Sequence, residues 1–324
     1  MRMTMLALLA FPLATAAVPA AVAETVWNLP ANYAAGSFHT RNLIAFAADV
    51  EKATGGALKI NVHPGGSLFK HAEIKPAVRD GRAPIGEILE SLVSNEAPVY
   101  GIDSVPFLAT GYDQAKKLYA AQKPFLEKQL AAEGLMLLYS VPWPPQGIYA
   151  MREITSVDDL KGLKFRTYNA AIARVATLVG AVPTQIEVPD LPAAFASGRV
   201  DVMITSASSG VESKAESYLT HYIDTQAWLP RNIVFVNKAA FDKLAASEQE
   251  ALRQAASAAE TRGWAMSIDE MTIKTNALKA AKIIVLPPTP DLKAGLAKVG
   301  EMVAAEWEKA AGADGAAMLA AYRK

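Results

Sequence analysis

The 324-residue chain has no cysteine. That excludes disulfides, thiolate metal sites and a lipid-modified N-terminal cysteine. Its four histidines, His39, His63, His71 and His221, do not stand at the paired spacing of a helical zinc motif. Only His63 and His71, which flank a glycine turn, are placed to approach each other, and surface or loop positions are the default for both. No metal and no cofactor is expected. The chain also lacks a phosphate-cradling glycine loop and a dinucleotide fingerprint. Its serine cluster, Ser206-Ala207-Ser208-Ser209-Gly210, lacks the first glycine of a nucleophile elbow. No catalytic residue is assigned, and an enzyme is not expected. Charge of one sign is missing too: 32 Lys and Arg face 32 Asp and Glu, without the basic excess of a nucleic-acid binder. Beyond residue 23, no segment reaches the ~20 uncharged apolar residues of a membrane span, so stable membrane insertion is not expected.

The N-terminus carries a different signal. Arg2 precedes an apolar stretch from Met5 to about Val18, and Ala21-Val22-Ala23 supplies small residues at a cleavage position. Residues 1–23 read as a secretory leader, with Glu24 first in the mature chain. Its removal takes away one basic residue and leaves the mature protein with a charge of about −1. The roughly 300 remaining residues suffice for about two domains.

Helix and strand patterns alternate along that length. His39 to Thr54 places Leu43, Ile44, Ala47, Val50 and Ala53 on one helical stripe, stopped by Gly55-Gly56. Leu58 to Val62 alternates as a strand, and Pro64-Gly65-Gly66 turns it. Strands are also predicted at Leu135–Tyr139, Lys164–Thr167, Val200–Ile204, Val234–Val236 and Ile283–Leu286. Ala170 to Val179 reads as a helix. Ser156 and Asp159 form one capping-box pattern, and Ser247 and Glu250 another. The stretch behind the second, Ala251 to about Lys282, has no proline and one glycine, Gly263. It reads as one helix of ~30 residues, far beyond the usual ~11–12. The alternation implies an α/β architecture.

One charged residue sits in an apolar strand. In Leu163-Lys164-Phe165-Arg166-Thr167, alternation puts Lys164 and Arg166 on one face and Phe165 on the other. The guanidinium at Arg166 suits a carboxylate bidentately. A structural ion pair with an Asp or Glu fits the same residue.

Several segments, in order, resemble the substrate-binding subunits of tripartite ATP-independent periplasmic (TRAP) transporters of the C4-dicarboxylate-binding type. They are Phe46 to Gly56, Pro64 to Leu68, Val78-Arg79-Asp80-Gly81, Ser104-Val105-Pro106-Phe107-Leu108, Asp159 to Arg166, Gly180-Ala181-Val182-Pro183, Ala196 to Asp201 and Val236-Asn237-Lys238. The resemblance covers nearly the whole mature chain. It implies a two-lobed α/β periplasmic binding protein, with hinge strands, a long helix spanning both lobes, and closure over a ligand. Lobe I is expected at 24–149 plus 235–275, and lobe II at 150–234 plus 276–324. The resemblance also implies that Arg166 forms the salt bridge to the ligand carboxylate. Arg152 matches a second arginine that helps hold the ligand in some members, a structural role at the strand end being the alternative. Asn169 follows the Arg166 strand where a polar contact belongs. Where the family often places an asparagine, this chain reads Thr205-Ser206-Ala207-Ser208, so Ser206 and Ser208 offer hydroxyls in place of the amide. Glu87 and Glu90 lie in the segment where sugar-acid binders place an acidic contact.

Trp143 ends the Leu135 strand, and such strand ends face the cleft in α/β lobes. Tyr168, Tyr33, Phe38 and Trp228 are further aromatic candidates, with core packing as the alternative for each. A wall with Trp143 and Tyr168 favours an aryl or branched keto- or hydroxy-acid over a polyol. The expected partners are a small organic acid and the membrane permease subunits of a TRAP transporter, in the periplasm. A ligand-sensing subunit for a signalling partner and a secreted α/β enzyme are the rival readings.

Overall fold

The computed structural model describes residues 24–324; the expected leader, 1–23, lies outside the described residues. The chain opens with β1 (Thr25–Pro30), α1 (Phe38–Ala53) and β2 (Leu58–His63). β1 and β2 pair in parallel, Trp27 opposite Ile60. α1 covers them with Leu43, Phe46, Ala47 and Val50 buried, and it ends where Gly55 and Gly56 take positive φ, a backbone open to glycine at little cost. α2 (His71–Arg79), β3 (Ile85–Leu89), α3 (Tyr112–Ala132) and β4 (Leu135–Pro142) follow.

The second layer begins with β5 (Gln146–Ala150), β6 (Lys164–Thr167), α4 (Ala170–Leu178), β7 (Val182–Gln185), α5 (Leu191–Ala196), β8 (Val202–Ser206), α6 (Ala207–Glu212) and β9 (His221–Ile223). The chain closes with β10 (Arg231–Asn237), α7 (Lys238–Asp242), α8 (Ala246–Ala280), β11 (Ile284–Leu286) and α9 (Pro290–Arg323). β10 runs between β3 and β4 in one sheet, and the order β11-β9-β5-β8-β6-β7 makes the other. These two sheets are the centres of the two lobes.

The chain crosses between lobes at Trp143–Pro145, where β4 ends in one sheet and β5 begins in the other, and returns between β9 and β10. The expected boundaries at 149 and 234 fall within β5 and β10. The long helix has 35 residues. Its first half lies on α1 and β4, where the Asn42 side-chain amide donates to the Ala259 carbonyl at 2.9 Å. Its second half reaches α6 and β11. Its start is capped by Glu248, which accepts from the Ala245 N–H at 2.8 Å, so the box sits at Ala245 and Glu248 and not at the predicted Ser247 and Glu250. α9, expected with lobe II, also touches both lobes: Trp307 donates to the Pro98 carbonyl at 2.8 Å, and Glu306 pairs with Arg174 of α4 at 2.7 Å. Among the described residues, no helix is long and apolar enough to cross a membrane.

Candidate functional site

β6 lies parallel to both β7 and β8, so the C-terminal ends of three strands open to the same side. A ligand crevice is expected at such an edge. There a cavity of about 350 Å³, its open mouth included, lies between the lobes. Tyr33, His71, Leu89 and Trp143 line it from lobe I. Gln146, Arg166, Tyr168, Glu187 and Val188 line it from lobe II, with Thr205, Ser206 and Ser209 at the end of β8 and Pro230 on the return crossing. The lobes meet across it. His71 pairs with Glu187 at 3.3 Å, and the Asn169 amide donates to Ser91 at 2.9 Å.

Arg166 is 1% exposed. Its Nε donates to the Ile186 carbonyl at 2.8 Å, and its guanidinium lies over the Tyr168 ring, 4.7 Å from the centroid. Its Nη1 is buried without a hydrogen-bond partner among the described residues. Burial opposes its charge and pushes its pKa down, while Tyr168 and Glu187 act in the other direction. Lys164, on the same face by alternation, is exposed and reaches the Gly198 carbonyl. A buried cation lacking a paired anion is costly, and this one borders a cavity.

The surrounding side chains are fixed by bonds to one another and to the frame behind them. Tyr168 donates to Gln146 Oε1 at 3.0 Å and accepts from the Trp228 indole at 3.2 Å. Gln146 in turn donates to the Pro144 carbonyl at 2.8 Å. Trp143 donates its indole N–H to Asn232 at 2.8 Å, and its ring packs against Tyr33, Phe38 and His39. Ser206 Oγ accepts from the Ser209 N–H at 3.2 Å.

Glu187 and His71 form the second polar pole. The Leu89 N–H donates to His71 Nε2 at 3.0 Å. That nitrogen is therefore an acceptor, and the ring hydrogen sits on Nδ1, facing Glu187. Burial pushes the Glu187 carboxyl up, but the His71 hydrogen bond and the nearby charge of Arg166 outweigh it and hold the group below its ordinary value. Glu187 is thus a carboxylate at neutral pH. It makes no ion pair with Arg166 within 4 Å, so opposite charges border one cavity without meeting.

Of the sequence candidates, Arg166, Trp143, Tyr168, Tyr33 and Ser206 line the cavity, while Phe38 packs on Trp143 and Trp228 bonds Tyr168. Asn169 instead caps α4, accepting from the Ile172 N–H at 2.9 Å. Ser208 turns to α8 and donates to Glu270 at 2.8 Å. Arg152 is exposed and pairs with Asp159 at 3.3 Å. Glu87 and Glu90 lie in the interior behind the wall. Glu90 pairs with Arg231 at 3.3 Å and bonds Gln122. Glu87 accepts from Asn232 at 2.9 Å, and burial raises its carboxyl to about 7. His63 bonds Asn28 at 2.9 Å; among the described residues, no group of three or more His, Asp or Glu is placed to hold a metal.

Sequence reasoning did not select His71 or Glu187. They stand 116 residues apart on no shared motif. Gln146 and Thr205 lay within quoted segments but carried no signal separating them from their neighbours.

The model of the bacterial extracellular solute-binding protein family 7, DctP, matches residues 31–310. Among solved structures, DctP6, a Bordetella pertussis extracytoplasmic solute receptor binding pyroglutamic acid, is 49% identical. It aligns over 92% of this chain and 99% of its own with a TM-score of 0.91. A TRAP solute-binding protein from a marine metagenome, specific for pyroglutamate, is 41% identical over 93% of this chain and 99% of its own, also with a TM-score of 0.91. A solute-binding protein of Albidiferax ferrireducens is 28% identical, covering 67% of this chain and 65% of its own length.

Proposed function

The chain belongs to the family 7 bacterial extracellular solute-binding proteins, and from that membership we propose that it captures a compact cyclic carboxylate of the pyroglutamate kind in the periplasm and delivers it to a TRAP-type permease. The observation that carries the reading is Arg166: a buried guanidinium with an unpartnered Nη1, at the wall of an inter-lobe cavity. A ligand carboxylate supplies the missing anion through charge-assisted hydrogen bonds.

The walls speak to the rest of the ligand. Tyr33 and Trp143 offer flat apolar faces against which a small ring lies. Gln146, Glu187, Thr205 and Ser209 bring polar groups to the same space, and an aryl or branched aliphatic acid leaves these without partners. A ring that carries its own amide satisfies more of them. This favours a lactam acid over the aryl or branched acid suggested by the aromatics alone. Capture proceeds by closure: the carboxylate meets Arg166 on lobe II, and lobe I then contacts the same ligand from the other side.

The test is calorimetry and thermal shift on protein stripped of bound solute by unfolding and refolding. The panel comprises pyroglutamate, succinate, a uronate, a branched keto acid and an aryl acid. Pyroglutamate is expected to give the largest shift; a ligand at 100 times its Kd stabilises by about 2.7 kcal/mol. A panel in which no carboxylate raises the Tm overturns the reading.

A further inference from the structure

Resting on the reading of the cavity as a carboxylate site, we infer that Glu187, oriented by His71, is the specificity-determining residue that selects carboxylates carrying an N–H beside the acid group. The two poles of the cavity differ in kind. Arg166 only donates. Glu187 only accepts, and it borders the same cavity without closing an ion pair on Arg166. A ligand that bridges them must present an anion to one and a hydrogen-bond donor to the other.

The orientation of Glu187 is built in. His71 accepts from the Leu89 backbone at 3.0 Å and turns its Nδ1 hydrogen to Glu187 Oε2 at 3.3 Å. A carboxylate has about four lone-pair directions, more than His71 occupies. His71 comes from lobe I and Glu187 from lobe II, so the acceptor reaches its place as the lobes meet. A dicarboxylate sets its second charge against Glu187, where like charges repel. An acid with a methylene in place of the N–H offers no donor to the lone pairs that His71 leaves free on Glu187. A lactam N–H, one bond from the carbon bearing the carboxylate, avoids both penalties.

The experiment compares Kd by calorimetry for pyroglutamate and for its carbocyclic ketone analogue, in which a methylene replaces the ring N–H. Wild type is expected to prefer the lactam by about 10- to 100-fold, the range of a hydrogen bond to a charged group. In Glu187→Leu, the preference falls to within about 3-fold. Glu187→Gln, which keeps the length and one acceptor oxygen, falls between and serves if the leucine variant does not fold. A residue that merely holds the lobes together weakens both ligands by the same factor, so an unchanged ratio in the variants overturns the inference. Equal wild-type affinity for the two acids overturns it while leaving the carboxylate site standing. Binding of neither acid overturns it too, and binding of no carboxylate at all overturns the site with it.

Discussion

Arg166→Met separates two things that one side chain does: it binds the anion, and it keeps the lobes apart until the anion arrives. With the lobes together, the guanidinium is 1% exposed. Desolvating an ion costs several kcal/mol. The hydrogen bond to Ile186 and the Tyr168 face lie within the same lobe, so part of that desolvation is already met with the lobes open. A deficit of about 1–3 kcal/mol against ligand-free closure remains, roughly a 5- to 150-fold bias toward the open state. Methionine fills similar space without a charge. The ligand-free variant should therefore shift toward closed by about tenfold or more, while its affinity for the acid drops about 10²- to 10⁴-fold, the cost of breaking a buried pair. The chain has no cysteine, so Lys52→Cys on α1 and Arg199→Cys after α5, both exposed, give one unambiguous label pair for single-molecule energy transfer between lobes. Wild type should be mainly open without ligand and closed with it; the methionine variant should be mainly closed in both. A ligand-free variant as open as wild type refutes the electrostatic account of closure, and affinity within threefold of wild type refutes the role of Arg166 altogether.

Three further outcomes are expected. Glu87 keeps its proton in the folded state to about pH 7, against 4.5 for an ordinary glutamate. Between those values the folded chain binds more protons than the unfolded one, and stability falls as pH rises. Glu87→Gln should remove on the order of 2–3 kcal/mol of that fall, leaving the parts due to Glu212 and Glu90, raised by burial to about 7 and about 8; parallel urea-denaturation profiles from pH 4.5 to 8 would count against it. Gly263→Ala should destabilise by about 1–3 kcal/mol despite the better helix propensity of alanine, because a Cβ there lies 2.4 Å from Val141 Cγ2 and 2.8 Å from Asn42 Nδ2; thermal melts decide the sign. Arg152→Ala should leave ligand affinity within about twofold, since exposed pairs contribute little and the side chain turns to Asp159; calorimetry with a larger loss would return Arg152 to the site.

What could be read from the sequence was local. The stripe Leu43, Ile44, Ala47, Val50 and Ala53 predicts α1, although Ile44 and Ala53 prove exposed and Phe46 is buried instead, and the absence of proline from Ala251 to Lys282 predicts the long helix. Arg166 stands out because a charge in an apolar strand needs a reason. β7 escaped notice because Pro183 weakens a strand pattern, and it is in fact the edge strand of its sheet, where proline is tolerated. β5 escaped because Gly147 interrupts it; a Cβ there would lie 2.4 Å from the Tyr222 ring and 2.6 Å from the Ile223 carbonyl, a close approach that only the folded sheet reveals. Glu87 and Glu90 drew attention only through the resemblance, as acids in the segment where sugar-acid binders place a contact, yet their partners, Asn232 and Arg231, lie 145 and 141 residues away. No spacing rule reaches that far, and the same limit hid the pairing of His71 with Glu187.

The interior behind the cavity explains why so few groups set its charge. Trp143, which forms part of the wall, hands its N–H to Asn232, and Asn232 hands its own to Glu87. Glu87 also lies 3.5 Å from His39. Burial holds the His39 imidazole well below its ordinary pKa and the Glu87 carboxyl well above its own, so below about pH 7 both are neutral and the chain behind the wall carries no net charge. An arriving anion then meets the field of Arg166 undiminished by a charge on Glu87, with the Glu187 carboxylate at the same wall. Were Glu87 ionised, a second buried anion would stand behind the Trp143 wall with little solvent to screen it. Below about pH 7 the supporting layer therefore adds no charge that opposes an anion in this cleft.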